Sequence, residues 1–418
     1  MPLMDAEAAR EIEVEDLQPS RPSLRVAMVT ETWPPEVNGV AATISRIAEG
    51  LREQGHALQV VRPRQGGADG LAGNGGDPRF AEVLMRGLPI PRYPELRMGL
   101  PSRRALLSLW SRQRPDVVHL VTEGPLGWSA LNAALQLRLP VVSDFRTNFQ
   151  AYSAHYGLAW LRSPIMGYLR RFHNRTACTM VPTQGLAAEL AGSGFRSLRV
   201  IARGVDARRF DPSLRSNALR AGWGATPGQV VALCVGRLAP EKNLDTVIDA
   251  WQAMREVRPS AKLVLVGDGP SATRLRQAAP EAVFAGVQRG EALATHYASA
   301  DVFLFASMTE TFGNVVPEAM ASGLAVLAYE HAAAGQLIRH GRDGLLAPLG
   351  DHAAFLRLAG RVAGDPAELA RLRAQARRTA CQLDWQHIVE AVELEYQVAI
   401  TRHAATSWSR GRPAPSAG

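Results

Sequence analysis

The sequence predicts an α/β protein with two parallel-sheet domains that face each other across a cleft. Short β-branched runs alternate with amphipathic segments twice along the chain, which is typical of parallel sheets covered by helices. With 418 residues, the chain is long enough for two domains that each bury a hydrophobic core. A polar stretch rich in turn formers, at residues 204–228, separates the two series.

The first series predicts an N-terminal domain over residues 23–205. A strand at residues 25–30 precedes a helix whose apolar residues repeat on one face. These helix residues are Val40, Ile44, Ile47, Ala48 and Leu51. Further strands are predicted at residues 58–61, 117–121, 141–145 and 179–181. The glycine-rich residues 65–79 are predicted to form a loop.

The second series predicts a C-terminal domain over residues 206–384. Its strands are predicted at residues 230–236, 263–267, 282–286, 302–306 and 325–328. Both ends of the chain, the acidic residues 1–22 and the tail 403–418, are predicted to be disordered. In open parallel sheets, ligands bind beyond the carboxyl ends of the strands, so the site is expected in the cleft between the domains.

The charge and the cysteine content of the chain indicate which classes of partner it can bind. The net charge is +8 although residues 1–16 hold six acidic residues against one arginine. This basic balance favours phosphate-rich ligands or an anionic membrane surface, and no stacking motif or reading helix indicates nucleic acid. The three cysteines are scattered, which favours a reducing, cytoplasmic environment. No apolar run approaches the roughly 18 residues that span a bilayer, and no signal peptide is visible.

The most informative segment is residues 309–323, which place Glu310 and Glu318 eight residues apart. A strand leads into a loop that contains Gly313, and a helix is expected to begin near Gly313 or Asn314. Amide groups at a helix start have no partner within the helix and point at a ligand. Two carboxylates beside such donors suit a polyhydroxylated ligand that carries phosphate.

A second motif, residues 236–244, follows the first strand of the C-terminal domain. Arg237 is expected at the strand end and Lys242 near the next helix, so both cations can converge on a diphosphate. The chain has only two lysines among 47 basic residues, so composition does not explain Lys242. The alternative is a solvated pair on the surface.

Glycines at strand ends form a third group. Gly267 can let a nucleobase approach the backbone, although the Gly-Asp-Gly-Pro segment around it is also typical of a plain turn. Gly39, near the start of the first helix, can present a bare N–H to phosphate or sugar. Its loop lacks the Gly-x-Gly-x-x-Gly fingerprint, which argues against a nicotinamide enzyme.

Polar and aromatic residues at 144–149 leave the fourth strand of the N-terminal domain and indicate a sugar or acceptor contact. Tyr152, His155 and Tyr156 follow, and ordinary loop packing explains the two tyrosines equally well. His119 and Glu123, after the third strand, are candidate acceptor contacts for which packing is the favoured interpretation.

With these motifs, the chain resembles the retaining glycosyltransferases of family 4, over about residues 23–400. It is most similar to GDP-mannose-dependent α-mannosyltransferases and glycolipid synthases. The resemblance implies the GT-B fold, two Rossmann-like domains around a cleft, with a last helix over 385–402 that returns to the N-terminal domain. It assigns Glu310 to the sugar hydroxyls and Glu318 to the ribose, and the diphosphate to Arg237 and Lys242. The remaining donor contacts would be Gly39, Phe312, Gly313, Asn314 and Val315.

One residue departs from the family pattern. Relatives often carry a histidine in the loop after the fourth strand, where this chain has Arg146. A guanidinium cannot act as a base near neutral pH, although it can bind a sugar hydroxyl or phosphate. We therefore expect Arg146 to contact the donor and not to transfer a proton.

The sequence thus predicts transfer of a hexose, mannose from GDP-mannose, to a hydroxyl with retention. Same-face attack is favoured because no carboxylate is clearly placed beneath the anomeric carbon. We expect no cofactor and no metal, since no Asp-x-Asp motif is present. Three alternatives stay open: a UDP-sugar-dependent transferase, a sugar-nucleotide epimerase of the same fold, and a non-catalytic nucleotide-sugar binder.

The acceptor is predicted from a basic, partly apolar segment of the N-terminal domain. Its arginines are Arg86, Arg92, Arg97, Arg103, Arg104, Arg112 and Arg114. The apolar residues among them are Leu106, Leu107, Leu109 and Trp110. Such a segment can rest on the cytoplasmic face of an anionic membrane and meet a lipid acceptor. A packed helix with a solvated arginine face fits equally well.

Overall fold

A computed structural model describes residues 23–36, 38–65, 69, 77–90, 93–146 and 162–410. The expected disordered residues 1–22 lie outside this described part, as do residues 411–418. Two parallel sheets, each covered by helices on both faces, form the two domains. This confirms the predicted fold class.

The N-terminal sheet has, within the described residues, seven parallel strands in the order β3-β2-β1-β6-β7-β8-β9. They are β1 (Arg25–Val29), β2 (Ala57–Pro63), β3 (Phe80–Met85), β6 (Val117–Leu120), β7 (Val141–Asp144), β8 (Cys178–Val181) and β9 (Leu198–Val200). β4 (Gly87–Ile90) and β5 (Tyr93–Gly99) form a separate antiparallel pair. The helices are α1 (Gly39–Glu53), α2 (Arg103–Arg112), α3 (Pro125–Gln136), α4 (Arg162–His173) and α5 (Gln184–Gly192).

The C-terminal sheet has six parallel strands over its described residues, in the order β12-β11-β10-β13-β14-β15. They are β10 (Val231–Val235), β11 (Lys262–Val266), β12 (Val283–Gly286), β13 (Val302–Phe305), β14 (Ala325–Tyr329) and β15 (Leu345–Ala347). The first helices are α6 (Asn217–Gly222), α7 (Leu244–Val257), α8 (Ala272–Ala278) and α9 (Gly290–Ala298). They are followed by α10 (Val315–Ala321), α11 (Ala332–Leu337), α12 (His352–Gly364) and α13 (Pro366–Ala380).

The central strands are mainly apolar because helices cover both faces of each sheet. Every residue of β6, β10 and β13 is buried. On one face of the C-terminal sheet, Trp251 and Phe355 lie in the core, and on the other Tyr297 and Met320 do so. With both faces buried, the loops at the strand ends remain as the surface on which a site can form.

The last helix, α14 (Trp385–Arg410), packs on the N-terminal domain. Val389, Val392 and Tyr396 are buried in the core cluster that also holds residues of β1 and α1. The helix passes its predicted end at residue 402, so the expected disordered tail is wrong over residues 403–410. No proline or glycine interrupts this stretch before residue 411, and the His403 ring bonds the Arg138 carbonyl at 3.0 Å. No described helix is both long and apolar enough to cross a membrane.

Candidate functional site

The two domains meet through loops at the carboxyl ends of their strands. Thr311 Oγ1 donates to the Arg146 carbonyl at 3.0 Å, and Arg203 Nη1 donates to Asn314 Oδ1 at 2.9 Å. Asn314 Nδ2 in turn donates to the Gly39 carbonyl at 3.4 Å. The loop between β13 and α10 therefore lies against Gly39 and Arg146, two residues that the sequence placed in the site.

That loop contains most of the residues predicted to bind a donor. Phe312 is fully buried, and its carbonyl accepts from the Ala333 amide at 2.8 Å. Gly313 adopts a φ of +92°, in the left-handed region that favours glycine. α10 begins at Val315, directly after Asn314 and in agreement with the expected helix start. The buried ring and the carbonyl contact hold the amides of Gly313 and Asn314 in a defined loop.

Lys242 and Glu310 form an ion pair. Lys242 follows β10 and Glu310 follows β13, and these two strands are neighbours in the sheet. Burial alone would raise the pKa of Glu310, but the Lys242 charge and hydrogen bond, with Ser307 and Arg203, hold it below the usual value. Glu310 is therefore ionised near neutral pH and can only accept hydrogen bonds from a ligand.

Arg237, predicted to act beside Lys242, forms an ion pair with Glu241. The Glu241 side chain is almost fully buried, whereas that of Arg237 is 34% exposed. A small cavity at the ends of β10 and β13 is bordered by both Arg237 and Lys242. The structure thus brings the two predicted phosphate ligands to one opening.

Gly267 lies at the end of β11, where the sequence predicted a nucleobase contact. Its φ is +136°, and a Cβ added there would lie 1.9 Å from the Gly236 carbonyl oxygen. The Gly267 amide also donates to the Gly286 carbonyl at 2.8 Å. Close approach of neighbouring strand ends therefore requires glycine here with or without a nucleobase, so its ligand role stays a prediction.

Glu318, one helical turn into α10, accepts a hydrogen bond from the Tyr297 hydroxyl at 2.9 Å. Burial raises the pKa of Glu318 to about 7, although Tyr297 and Arg209 act in the opposite direction. Near neutral pH the carboxyl is therefore present in both forms. Such a group can accept from, or donate to, the hydroxyls of a ribose.

Gly39 is exposed at the start of α1. The Asn38 side chain caps this helix by accepting from the Val40 and Ala41 amides, at 3.0 and 2.8 Å. These two donors are therefore already used. Of the amide groups in this first turn, only that of Gly39 is left for the predicted ligand contact, because Asn38 competes with any phosphate for the amides of Val40 and Ala41.

Arg146 lies at the end of a buried polar network. Its Nε donates to Asp144 Oδ2 at 2.6 Å, and His119 Nε2 lies 2.9 Å from the same oxygen. Burial opposes the charge on Asp144, yet Arg146 and His119 lower its pKa to about 2. The hydroxyl of Tyr396, from α14, lies 2.7 Å from His119 Nδ1. The last helix thus contributes to the network that holds Arg146.

The predicted acceptor contacts are only partly described. His119 is fully buried in the network, and Glu123 Oε1 lies 3.3 Å from His173 Nε2 in the core, so both fit the packing interpretation. The rest of the polar, aromatic segment lies outside the described residues. That part comprises Thr147, Asn148, Phe149, Tyr152, His155 and Tyr156.

One residue of the site was missed by the sequence analysis. Arg203 is 4% exposed, donates to Asn314, and places its guanidinium carbon 5.3 Å from the centre of the Phe312 ring. It precedes the Gly204-Val205-Asp206 segment that was interpreted only as a domain boundary. A single arginine among apolar and turn-forming residues, at a strand's carboxyl end, was the available signal.

Comparisons with known proteins identify the family and the fold. A family model described as "Glycosyltransferase Family 4" matches residues 37–209, and one described as "Glycosyl transferases group 1" matches residues 229–365. A GDP-mannose-dependent alpha-mannosyltransferase of Mycobacterium tuberculosis is 35% identical, over 90% of this chain and 96% of the relative. An alpha-monoglucosyldiacylglycerol synthase of Streptococcus pneumoniae is 25% identical, over 75% and 73%. A sucrose-phosphate synthase from Thermosynechococcus elongatus shares the fold, with a TM-score of 0.74, 19% identity and coverage of 91% and 100%.

Proposed function

Because the chain belongs to the family 4 glycosyltransferases, we propose that it transfers mannose from GDP-mannose to a hydroxyl acceptor, with retention and without a metal ion. The donor is supported by the M. tuberculosis relative, whose similarity extends over nearly the whole of both chains. Retention is proposed from the family resemblance, and independence of metal is supported by two cations, Arg237 and Lys242, that can neutralise the diphosphate.

The observation that carries the proposal is the contact between Lys242 and Glu310. It joins a cation suited to a diphosphate to a carboxylate suited to sugar hydroxyls, as a nucleotide-sugar requires. An ammonium has three N–H donors, so Lys242 can keep Glu310 and also bind phosphate. Arg237, at the same opening, supplies the second positive charge.

The proposed chemical step uses these positions. The bond between the anomeric carbon and the diphosphate oxygen breaks, and the acceptor oxygen forms its new bond on the same face. The acceptor proton passes to the departing phosphate oxygen. Arg237 and Lys242 stabilise the negative charge that develops there, an effect that is large in a partly buried site.

The remaining residues would orient the donor. Glu318 would bind the ribose hydroxyls, and the amides of the β13–α10 loop would bind the sugar or phosphate. Arg146 cannot act as a base, and its Nε is held by Asp144, so it would contact the donor with its other nitrogens. Gly39 would add one amide from the N-terminal domain.

We propose a lipid acceptor met at the cytoplasmic face of a membrane, supported by the S. pneumoniae relative whose name specifies a diacylglycerol product. In α2, Leu106 and Trp110 are buried in the core, while Arg103, Arg104 and Arg112 are exposed. The apolar residues of this segment are therefore used for packing. Membrane contact through α2 would be electrostatic, so flotation with anionic vesicles should occur at low salt and disappear at high salt.

A transfer assay tests the proposal. The protein is incubated with GDP-mannose or UDP-glucose, a diacylglycerol or glycosyl-diacylglycerol acceptor, and EDTA, and the product is analysed by NMR for its anomeric configuration. An α-mannoside formed from GDP-mannose is expected. Conversion of donor without acceptor would indicate an epimerase, and donor-induced stabilisation without turnover would indicate a binding protein.

A further inference from the structure

Arg203 is a buried cation with two unpartnered nitrogen atoms. Its Nη1 bonds Asn314, but Nε and Nη2 are buried and have no hydrogen-bond partner. No carboxylate in the described part of the chain forms an ion pair with it. The pKa of Arg203 is lowered to about 9, first by burial and then by the nearby charge of Arg146, while Asp144 and Glu310 act in the opposite direction. Burying a charge without an ion pair costs free energy, so such a residue is a candidate for a function.

Three other cations in the described part of the cleft differ from Arg203. Arg146 is paired with Asp144, Arg237 with Glu241, and Lys242 with Glu310. Each pair is close to electrically neutral before any ligand binds. Arg203 therefore contributes most of the excess positive charge among these four.

The two unpartnered atoms form one edge of the guanidinium. Nε–H and one N–H of Nη2 point in the same direction, which is the geometry that binds two oxygens of a phosphate or carboxylate side by side. The Asn314 bond and the Phe312 ring hold the group in place. A Cβ on Gly39 would lie 3.9 Å from Arg203 Nη1, so the group reaches the loop after β1.

We propose that Arg203 is an anion-binding residue of the cleft, and that its Nε–Nη2 edge takes an oxyanion of the substrate, a phosphate or carboxylate, while Nη1 stays bonded to Asn314. The proposal of an anion site rests on the proposed function in one respect only, which is the identity of the substrate that carries the oxyanion. The oxyanion comes either from the donor's diphosphate or from an acidic group on the acceptor.

The test uses the full chain with two probes, GDP and inorganic phosphate. GDP binding is measured by calorimetry, and phosphate binding by ³¹P NMR with and without saturating GDP. Arg203→Met removes the charge and keeps most of the volume, and Arg203→Lys keeps the charge but cannot present two parallel N–H groups. Arg220→Met is the matched control, because Arg220 is equally buried but bonded to Asp301 and to the Ser299 and Gln229 carbonyls.

If the oxyanion is the donor's, R203M weakens GDP binding by about tenfold or more, R203K weakens it less, and GDP displaces phosphate from the wild type. If it belongs to the acceptor, GDP binds R203M normally. Phosphate then binds the GDP-saturated wild type but not the GDP-saturated R203M variant. Either result supports the site, and the two distinguish the sources.

Thermal stability tests the same proposal independently of ligand binding. Removing an uncompensated charge should leave the Tm of ligand-free R203M near or above that of the wild type, whereas R220M should lose Tm. Binding of GDP and phosphate by R203M and R203K as by the wild type would overturn the site. These measurements need no turnover. If the wild type does not transfer mannose but R203M still loses anion binding, the proposed activity is wrong and the anion site stands.

Discussion

Replacing Lys242 by alanine should remove the main stabilisation of the leaving group. The ammonium contacts Glu310 from a side chain that is only 23% exposed, so it acts where water screens charge weakly. Loss of one preorganised donor to a developing charge lowers kcat about 100- to 1000-fold. We expect a decrease of that size for K242A, with a smaller change in KM for the donor, because the charge on the phosphate oxygen grows in the transition state.

The same substitution changes the titration of Glu310. In the folded wild type its pKa lies below 4.5, so the pair stabilises the fold above the pKa of the unfolded carboxyl. This stabilisation is lost as the pH falls through the folded pKa. In K242A burial acts unopposed by the lysine and raises the pKa of Glu310. The Tm of the variant should therefore decline less than that of the wild type on acidification from pH 6 to pH 3.

The chain offers a matched control, since its one other lysine, Lys262, begins β11 at the opposite end of the sheet. Steady-state kinetics with GDP-mannose and thermal melts across pH would be compared for K242A, K262A and the wild type. K262A should retain wild-type kcat. Equal and small losses of kcat in both variants would refute the role of Lys242, and identical pH profiles would refute its coupling to Glu310.

Two further predictions concern Glu318 and Gly267. Burial raises the pKa of Glu318 to about 7, so between about pH 4.5 and 7 the folded state binds more protons than the unfolded state and loses stability as the pH rises. The E318Q variant should flatten this decline, which is worth up to about 3 kcal/mol. The same variant should weaken donor binding more than it lowers kcat. A Tm that falls with pH as steeply in E318Q as in the wild type would contradict the assignment. Gly267→Ala should destabilise the folded protein by several kcal/mol, since its Cβ would meet the Gly236 carbonyl at 1.9 Å. Gly167 lies in the middle of α4 with open space around it, so Gly167→Ala should stabilise the folded protein by about 0.5–1 kcal/mol. Urea titrations measure both, and similar stabilities for the two variants would show that the close approach at Gly267 is relieved.

The fold and the neighbourhood of the site followed from local patterns. Alternating apolar runs and amphipathic segments predict parallel sheets, and parallel strands place their carboxyl ends at one edge. Glu310, Arg237 and Lys242 each follow a strand of the C-terminal sheet, so their approach to one opening was predictable. The glutamate loop was predictable for the same reason, because a strand, a glycine and a helix start lie in one short segment.

Partners that depend on the tertiary fold were not predictable. Lys242 pairs with a residue 68 positions away, and no periodicity specifies which carboxylate meets which cation. The burial of Arg203 depends on Phe312 and Asn314 from the other domain. For Gly267 the sequence left a nucleobase contact and a plain turn open, whereas the approach of two strand ends already requires glycine there. The last helix was predicted to end at residue 402 because apolar residues are sparse beyond it, although the following segment contains no helix breaker before residue 411.

The central claim is that a nucleotide-sugar lies in the cleft with its diphosphate beside Arg237 and Lys242 and its sugar beside Glu310. A crystal structure of the protein with GDP-mannose, or with GDP and mannose, measures this directly. We expect phosphate oxygens within hydrogen-bond distance of both cations, and sugar hydroxyls within the same distance of the Glu310 carboxylate. A diphosphate bound away from both cations, with the pair between Lys242 and Glu310 facing empty solvent, would contradict the account.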